Sequence, residues 1–359
     1  MSVELLRLTE LIALARGRGA SDLHAGAGNP PTVRINGRAI ALDVPPLGAP
    51  TLESFLESVL PAPAVQAWTQ SRSVDVARRA GIGAPYRLHA YATMSGPRLA
   101  FRFLQTEIPA LDRLALPPVI GDLVTRPTGL IIFTGPTGSG KTTALAAAID
   151  RINRTAERVI VTVEDPVEYV HGPIRSVVAH CEIGTDVDDY AAAIHGFMRS
   201  DPDVILVGEM RDRTTMEAVL SAAETGHLVL STLHTADAAQ TIDRIIDAFS
   251  SDGQSQVRTQ LSATLLAVIA LRLVPLRNGA GRIAVSEVLI GTDAVRAMIR
   301  EGKTHQLRNA ITTGRASGMR TLETSLSDLV VRGSISLEAA RLVAARPAEV
   351  RDLAPAPAT

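Results

Sequence analysis

Residues Gly135–Thr142 read Gly-Pro-Thr-Gly-Ser-Gly-Lys-Thr, and this stretch decides the fold of the chain. It matches G-x-x-x-x-G-K-[ST] and lies between an apolar run at 130–133 and an Ala-rich stretch at 143–149. The run predicts a buried strand and the Ala-rich stretch predicts a helix. Glycines let such a loop curl, so its N–H groups point at phosphate oxygens where a helix N-terminus favours negative charge. The segment therefore predicts a nucleoside triphosphate site on an α/β fold.

The loop's lysine and threonine have separate predicted roles. Lys141 is expected to reach the β- and γ-phosphates, and Thr142 to ligate Mg²⁺ through its hydroxyl. A Gly-rich turn from strand to helix, without a ligand, is the alternative interpretation. The predicted nucleotide-binding residues are Gly135, Pro136, Thr137, Gly138, Ser139, Gly140, Lys141, Thr142 and Thr143.

Composition narrows the class of protein. The 36 Lys and Arg residues balance 37 Asp and Glu residues, so net charge gives no reason to expect nucleic acid as a partner. Cys181 is the single cysteine, which excludes an intrachain disulfide framework and a four-cysteine zinc site, and fits a reducing compartment. The apolar stretch 265–276 is interrupted by Arg272 and cannot span a bilayer. We expect a soluble intracellular protein that meets membranes only through partners.

Residues 1–105 predict a small α+β domain. Asn36-Gly37 is a strong hairpin signal, and the strands predicted at 86–93 and 98–104 form a second hairpin. In the last strand apolar side chains alternate with polar ones, so Arg102 is expected on the polar face.

The rest of the chain predicts an α/β core with flanking segments. Residues 106–127 contain four prolines and predict a linker. In 128–285, short β-rich runs alternate with helical stretches, which predicts a mainly parallel, three-layer sheet. Residues 286–345 predict a helical subdomain, and 346–359 a disordered tail. The β-rich runs are Gly129–Thr134, Arg158–Glu164, Val204–Gly208 and His227–Thr232.

Two acidic residues follow predicted strands. Glu209 comes after the run 204–207 and is expected beside the loop, where it would hold Mg²⁺ directly or through water. Glu164 ends the run 159–163, and we predict that it is the general base that takes the proton of the attacking water. The alternatives are an ordinary surface glutamate for Glu209, and a turn before Pro166 for the segment at Glu164.

His227 and His234 bracket another predicted strand, at 228–232. They are expected to sense or donate to the γ-phosphate, although structural roles for both histidines remain open. Arg211-Asp212-Arg213 follows Glu209, and a solvated charge run is its default interpretation.

These motifs, in this order and spacing, resemble the type II/IV secretion ATPases, and within them the type IV pilus retraction ATPases. The segments that carry the resemblance are 20–24, 135–142, 164–168, 201–212 and 223–235, with Gly318-Met319 near the end. The resemblance implies a PAS-like N-terminal domain, a RecA-like ATPase domain, ATP and Mg²⁺ as cofactors, and a homohexameric ring.

The resemblance also implies residue roles. Arginines of the small domain act on the phosphates, and such a finger contributes ~10³–10⁵ in rate in comparable enzymes. Arg102 retains the alternative of a solvated strand arginine. By motif, the implied assignments are Lys141 and Thr142 in Walker A, Glu209 in Walker B, Glu164 in the Asp box, His227 and His234 in the His box, and Arg87 and Arg102 as the arginines.

The implied function is a hexameric Mg-ATP motor that retracts a type IV pilus through an inner-membrane platform protein, at the cytoplasmic face of that membrane. Two features favour the retraction branch: the chain begins shortly before the motif at 20–24, and it has a single cysteine. The alternatives are an accessory, assembly or secretion ATPase, and a low-turnover nucleotide-binding regulator. Departures from the family pattern, which put coupling and ring geometry in question, occur at Pro85, His180, Cys181, His195 and Ala297.

Overall fold

A computed structural model describes residues 3–35, 37–78, 86–103, 107–279 and 281–352. The chain forms two compact units, Met1–Glu107 and Ile108–Thr359. Asn36 of the predicted hairpin turn and the departure at Pro85 lie outside the described residues.

In the part that the structure describes, the first unit is an antiparallel sheet with three helices. Its elements are α1 (Val3–Gly17), β1 (Asp22–Gly26), β2 (Thr32–Ile35), β3 (Arg38–Ala41), α2 (Ala49–Val59), α3 (Ala62–Ser71), β4 (Ser73–Arg78), β5 (Tyr86–Thr93) and β6 (Gly96–Phe103). The strands run in the order β3-β2-β1-β6-β5-β4. Phe101 is buried on β6 and meets the ring of Phe55 edge-on at 5.8 Å, so the apolar face of β6 packs against α2. Arg102 is exposed, which confirms the predicted alternation.

Within its described residues, the second unit is built on a seven-stranded sheet in the order β13-β12-β7-β11-β10-β8-β9. There β12 pairs antiparallel with β13, and the other neighbouring strands pair parallel. Its elements are α4 (Val119–Leu123), β7 (Gly129–Thr134), α5 (Lys141–Thr155), β8 (Val159–Glu164), β9 (Val177–Glu182), α6 (Tyr190–Phe197), β10 (Val204–Val207), α7 (Arg213–Glu224), β11 (Leu228–Leu233), α8 (Ala238–Asp247), α9 (Ser251–Thr264), β12 (Leu265–Pro275), β13 (Arg282–Ile290), α10 (Asp293–Arg300), α11 (Leu307–Thr313), α12 (Leu322–Val331) and α13 (Leu337–Val343).

Strand β7 has a hydrophobic core on each side. Leu130 and Ile132 belong to one core, and Ile131 and Phe133 to the other. Because both of its faces are buried, β7 contains a continuous apolar run, which is typical of parallel strands covered by helices on both sides of the sheet. The mixed α/β fold is therefore a three-layer arrangement in this unit.

Two predicted boundaries differ from the structure. The predicted linker 106–127 contributes Leu111 and Ile120 to the core beside β7, because its prolines border short helical turns that pack, so it is not an exposed connection. The predicted tail begins too early, since Val350 is buried in the cluster formed with α12 and α13. Residues 353–359 lie outside the described residues.

The predicted helical subdomain 286–345 begins inside a strand. Residues up to Ile290 belong to β13, which pairs with β12, and helices α10 to α13 follow. Within the part of the chain that the structure describes, no helix has the length and apolarity needed to cross a bilayer.

Leu230 and Leu342 offer a matched test of this core. Leu230 lies on β11 and is fully buried, whereas Leu342 on α13 is 82% exposed. Leu230→Ala should lower the free energy of unfolding by about 2–5 kcal/mol because it removes buried methyl groups and leaves a cavity. Leu342→Ala should change it by no more than about 0.5 kcal/mol. Urea unfolding followed by circular dichroism measures both, and equal losses would contradict the burial pattern.

Candidate functional site

Four neighbouring parallel strands of the second unit end at one edge of the sheet. In sheet order, these strands are β7, β11, β10 and β8. They are followed or ended by the Gly-rich loop, His234, Glu209 and Glu164, respectively. In an open α/β sheet this edge is where ligands bind. The strand order thus gathers four segments that lie up to about 100 residues apart in the chain.

The loop after β7 has a backbone that favours glycine, and Gly135 in particular could not be replaced without a clash. Gly135, Gly138 and Gly140 have φ angles of 140°, 76° and 97°. A Cβ at Gly135 would lie 2.4 Å from the carbonyl oxygen of Leu271 on the adjacent strand β12. The hydroxyl of Ser139 is buried and has no hydrogen-bond partner among the described residues. A curled backbone with a buried hydroxyl to satisfy fits a loop that wraps around phosphate oxygens.

Lys141 begins α5 and folds back over this loop. Its Nζ donates to the carbonyl oxygens of Gly135 at 2.7 Å and Pro136 at 3.1 Å. Burial lowers the pKa of Lys141, with a further lowering by Arg272, while Glu209 and Glu168 oppose the shift. The ammonium group is thus held inside the loop, surrounded by charges of both signs.

His234 links Lys141 to Glu209. Its Nδ1 lies 3.4 Å from Lys141 Nζ, and its Nε2 lies 3.2 Å from Glu209 Oε1. An ammonium can only donate and a carboxylate can only accept, so the neutral ring accepts at Nδ1 and donates at Nε2. His234 therefore lies between Lys141 and Glu209 at the carboxyl end of β11.

The charge run after Glu209 has specific partners. Arg211 donates to Glu209 Oε2 at 2.9 Å and to Asp165 Oδ2 at 3.1 Å, and the hydrogen bond to Glu209 is the main reason that the pKa of Arg211 is raised. Asp212 caps α7 by accepting from the backbone N–H of Thr215, and Arg213 stacks on the ring of Phe249. All three residues are exposed, as a solvated charge run predicts, and each side chain also has a specific partner.

Glu164 ends β8 beside this group. Its Oε1 accepts a 2.9 Å hydrogen bond from the hydroxyl of Thr162. Tyr190, which sequence reasoning missed, lies nearby: burial raises the pKa of its hydroxyl, and Asp165, Glu209 and Glu164 raise it further. A lone tyrosine at the start of an Ala-rich helix carries no pattern that would have identified it. The acidic groups at the ends of β8 and β10 thus share one neighbourhood.

His227 does not join the site within this unit. It precedes β11, where its Nδ1 lies 2.9 Å from the carbonyl oxygen of Ala222. His234 follows the same strand, so the two histidines are separated by about 20 Å along it. His234 thus lies at the ligand edge of its own chain and His227 lies at the opposite end of β11, because a strand brings only one of its ends to that edge.

Other predicted residues have these positions. Thr142 lies in the first turn of α5, and the hydroxyl of Thr143 bonds that of Tyr169 at 3.1 Å. Arg87 and Arg102 belong to the first unit, directly opposite one another on β5 and β6. Arg102 Nε donates to Asp22 on β1 at 3.0 Å.

The hydroxyl of Thr142 and the carboxylate of Glu209 are hard oxygen donors of the kind that Mg²⁺ prefers. Mg²⁺ is usually held by one or two protein groups together with phosphates and water, so this small donor set fits it. Among the described residues, no cluster of three or more His, Cys, Asp or Glu side chains could hold a metal alone. The arrangement thus suits a metal that arrives with a nucleotide.

Comparison with known proteins gives the family. Residues 86–280 match the family described as "Type II/IV secretion system protein". The chain is 40% identical over 334 residues to the type IV pilus retraction ATPase PilT of Pseudomonas aeruginosa, covering 93% of this chain and 97% of that protein. It is 41% identical to the twitching motility protein of Neisseria gonorrhoeae over 311 residues, covering 87% of this chain and 83% of the other.

Solved structures agree. The crystal structure of the pilus retraction motor PilT with bound ADP superposes with a TM-score of 0.87 at 40% identity, covering 95% of this chain and 98% of the other. The Legionella pneumophila ATPase DotB superposes with a TM-score of 0.80 at 27% identity, covering 94% and 95%. The chain, in which one sheet edge joins the Gly-rich loop, His234 and Glu209, therefore belongs to the type II/IV secretion system protein family.

Proposed function

We propose that this chain is a Mg-ATP-hydrolysing motor that retracts a type IV pilus. The observation that carries the proposal is the cluster at one sheet edge, in which His234 bridges Lys141 and Glu209 while Glu164 ends the next strand. This geometry supports Lys141 as a phosphate ligand, Glu209 as a metal ligand and Glu164 as the base. The retraction role is supported by the 40% identity to the retraction ATPase of P. aeruginosa over nearly the whole of both chains.

The chain's residues divide the work of phosphoryl transfer. Lys141, now bonded to two loop carbonyls, exchanges them for β- and γ-phosphate oxygens, while the loop's N–H groups hold the nucleotide. Thr142 and Glu209 would hold Mg²⁺, which neutralises the charge that develops on the phosphates. Glu164 accepts the proton of the attacking water. His234 keeps Glu209 and Lys141 in fixed relative positions.

Coupling to movement is proposed to require a homohexameric ring, with a PAS-like first unit and a RecA-like second unit. Arg102 is suited to act on the phosphates of a neighbouring subunit because Asp22 anchors its Nε, and the terminal nitrogens still offer donors. Arg87, opposite it in register, adds a second positive charge to the same face. The ring would act on a platform protein at the cytoplasmic face of the inner membrane.

Glu164→Gln tests the catalytic base. The amide keeps the shape but cannot take a proton, so the variant should bind ATP like the wild type and lose roughly 10²–10⁴-fold in kcat. Steady-state hydrolysis and binding of a fluorescent nucleotide measure the two properties. Glu157→Gln, at a glutamate whose side chain is 79% exposed, is the matched control and should keep full turnover. Wild-type hydrolysis by Glu164→Gln would remove Glu164 from the base role.

Arg102→Ala tests action between subunits. The variant should lose most of its ATPase activity and remain folded, since Arg34 still lies 3.8 Å from Asp22. Mixing it with inactive Lys141→Ala subunits should restore part of the activity, because each contributes the half that the other lacks. Arg98→Ala, on the same face of β6, is the control. An Arg102→Ala ring with normal hydrolysis would exclude the finger role.

Pilus length in a deletion strain separates the motor functions. Loss of a retraction motor should leave long pili and abolish twitching, because assembly continues unopposed. Absent pili would instead indicate an assembly ATPase. Normal pili together with negligible purified ATPase activity would indicate a nucleotide-binding regulator. Electron microscopy of the cells and a twitching assay provide the measurement.

A further inference from the structure

His180 is connected through Thr162 to Glu164, the proposed base. It is one of the positions where the sequence departs from its family. It is on β9, directly opposite Thr162 on β8, and Glu164 is two residues further along β8. Side chains two residues apart on a strand share a face of the sheet. Three polar side chains are thus aligned on one face, ending at Glu164.

The hydrogen bonds along this line have defined directions. The backbone N–H of His171 donates to His180 Nε2 at 3.0 Å, so that nitrogen is an acceptor and the proton of the neutral ring is on Nδ1. His180 Nδ1 lies 2.9 Å from Thr162 Oγ1. The Thr162 hydroxyl in turn donates to Glu164 Oε1 at 2.9 Å. Each donor meets one acceptor from the backbone of His171 to the carboxylate.

Burial makes this line rigid. Thr162 is 1% exposed, and the side chains of His180 and Glu164 are 11% and 12% exposed. The ring of His171 stacks on that of His180, with centroids 5.6 Å apart and planes at 17°. Hydrogen bonds that are shielded from water are strong and orient their members. The hydrogen bond from the Thr162 hydroxyl to Oε1 therefore orients the carboxylate of Glu164.

We infer that His180, acting through Thr162, is a positioning residue. It holds the carboxylate of Glu164 in the orientation in which it takes the proton of the attacking water. The inference rests on the proposed role of Glu164 as the base. It assigns function to a histidine that the motifs do not include, and to a threonine within a strand that otherwise looks purely structural.

The first test uses Thr162→Val, which keeps the shape and removes the hydroxyl, and Thr162→Ser, which keeps the hydroxyl. Misplacing a catalytic group costs up to ~10²-fold, so Thr162→Val should lower kcat by roughly 10- to 100-fold. KM for ATP and the affinity for ADP should stay unchanged, and Thr162→Ser should restore most of kcat. A loss of ADP affinity in step with kcat would indicate a structural role and overturn the inference.

The second test changes His180 itself. Gln offers an acceptor for the His171 N–H and a donor for Thr162, whereas Leu offers neither. His180→Leu should therefore lower kcat as Thr162→Val does, and His180→Gln should be less impaired. His195→Gln, at an exposed histidine on α6, is the control and should match the wild type. Wild-type kcat in both His180→Leu and Thr162→Val would overturn the inference.

A double-mutant cycle separates this inference from the proposed function. If Thr162 acts through Glu164, adding Thr162→Val to Glu164→Gln should not reduce kcat further, since the coupled effects are not additive. Independent, multiplying losses would contradict the inference while leaving the base role intact. Wild-type turnover in Glu164→Gln alone would instead overturn the base role, and this inference with it.

Discussion

The parallel pairing of β7, β11, β10 and β8 is the constraint on which the rest of the second unit depends. Parallel strands all present their carboxyl ends at the same edge, so whatever follows each strand is brought to one place. The burial of β7 between two hydrophobic cores keeps this pairing rigid. Side chains at the ends of four paired strands are held in more precise positions than side chains on flexible loops would be.

Two histidine rings link polar groups of the site through hydrogen bonds. His234 accepts from Lys141 and donates to Glu209, so the positive and negative groups are linked without direct contact. His180 plays a comparable part behind Glu164, where it accepts from the backbone and donates towards Thr162. In both cases the ring's two nitrogens have opposite roles, and the partners decide which nitrogen carries the proton.

Arg211 is an exposed residue that connects two of the acidic groups of the site. It bonds both Glu209 and Asp165, and thereby ties the segment after β10 to the segment after β8. Local sequence gives no sign of this, because Asp165 lies 46 positions away. Buried Tyr190 lies beside the same carboxylates for a similar reason: α6 is packed against β8 and β10.

The amino-acid sequence by itself determined the Gly-rich loop, the strands that surround it and the acidic residues at their ends, because these depend on local pattern: apolar runs, glycine spacing and the helix that follows. It also indicated the alternating face of β6 that exposes Arg102. Strands β9, β12 and β13 escaped it, since an edge strand such as Val-Val-Ala-His-Cys-Glu has no strong period. Only the tertiary structure decided which strand end meets which. It joined His234 to Lys141 and aligned His180 and Thr162 with Glu164, because strand order and register depend on packing between segments distant in sequence.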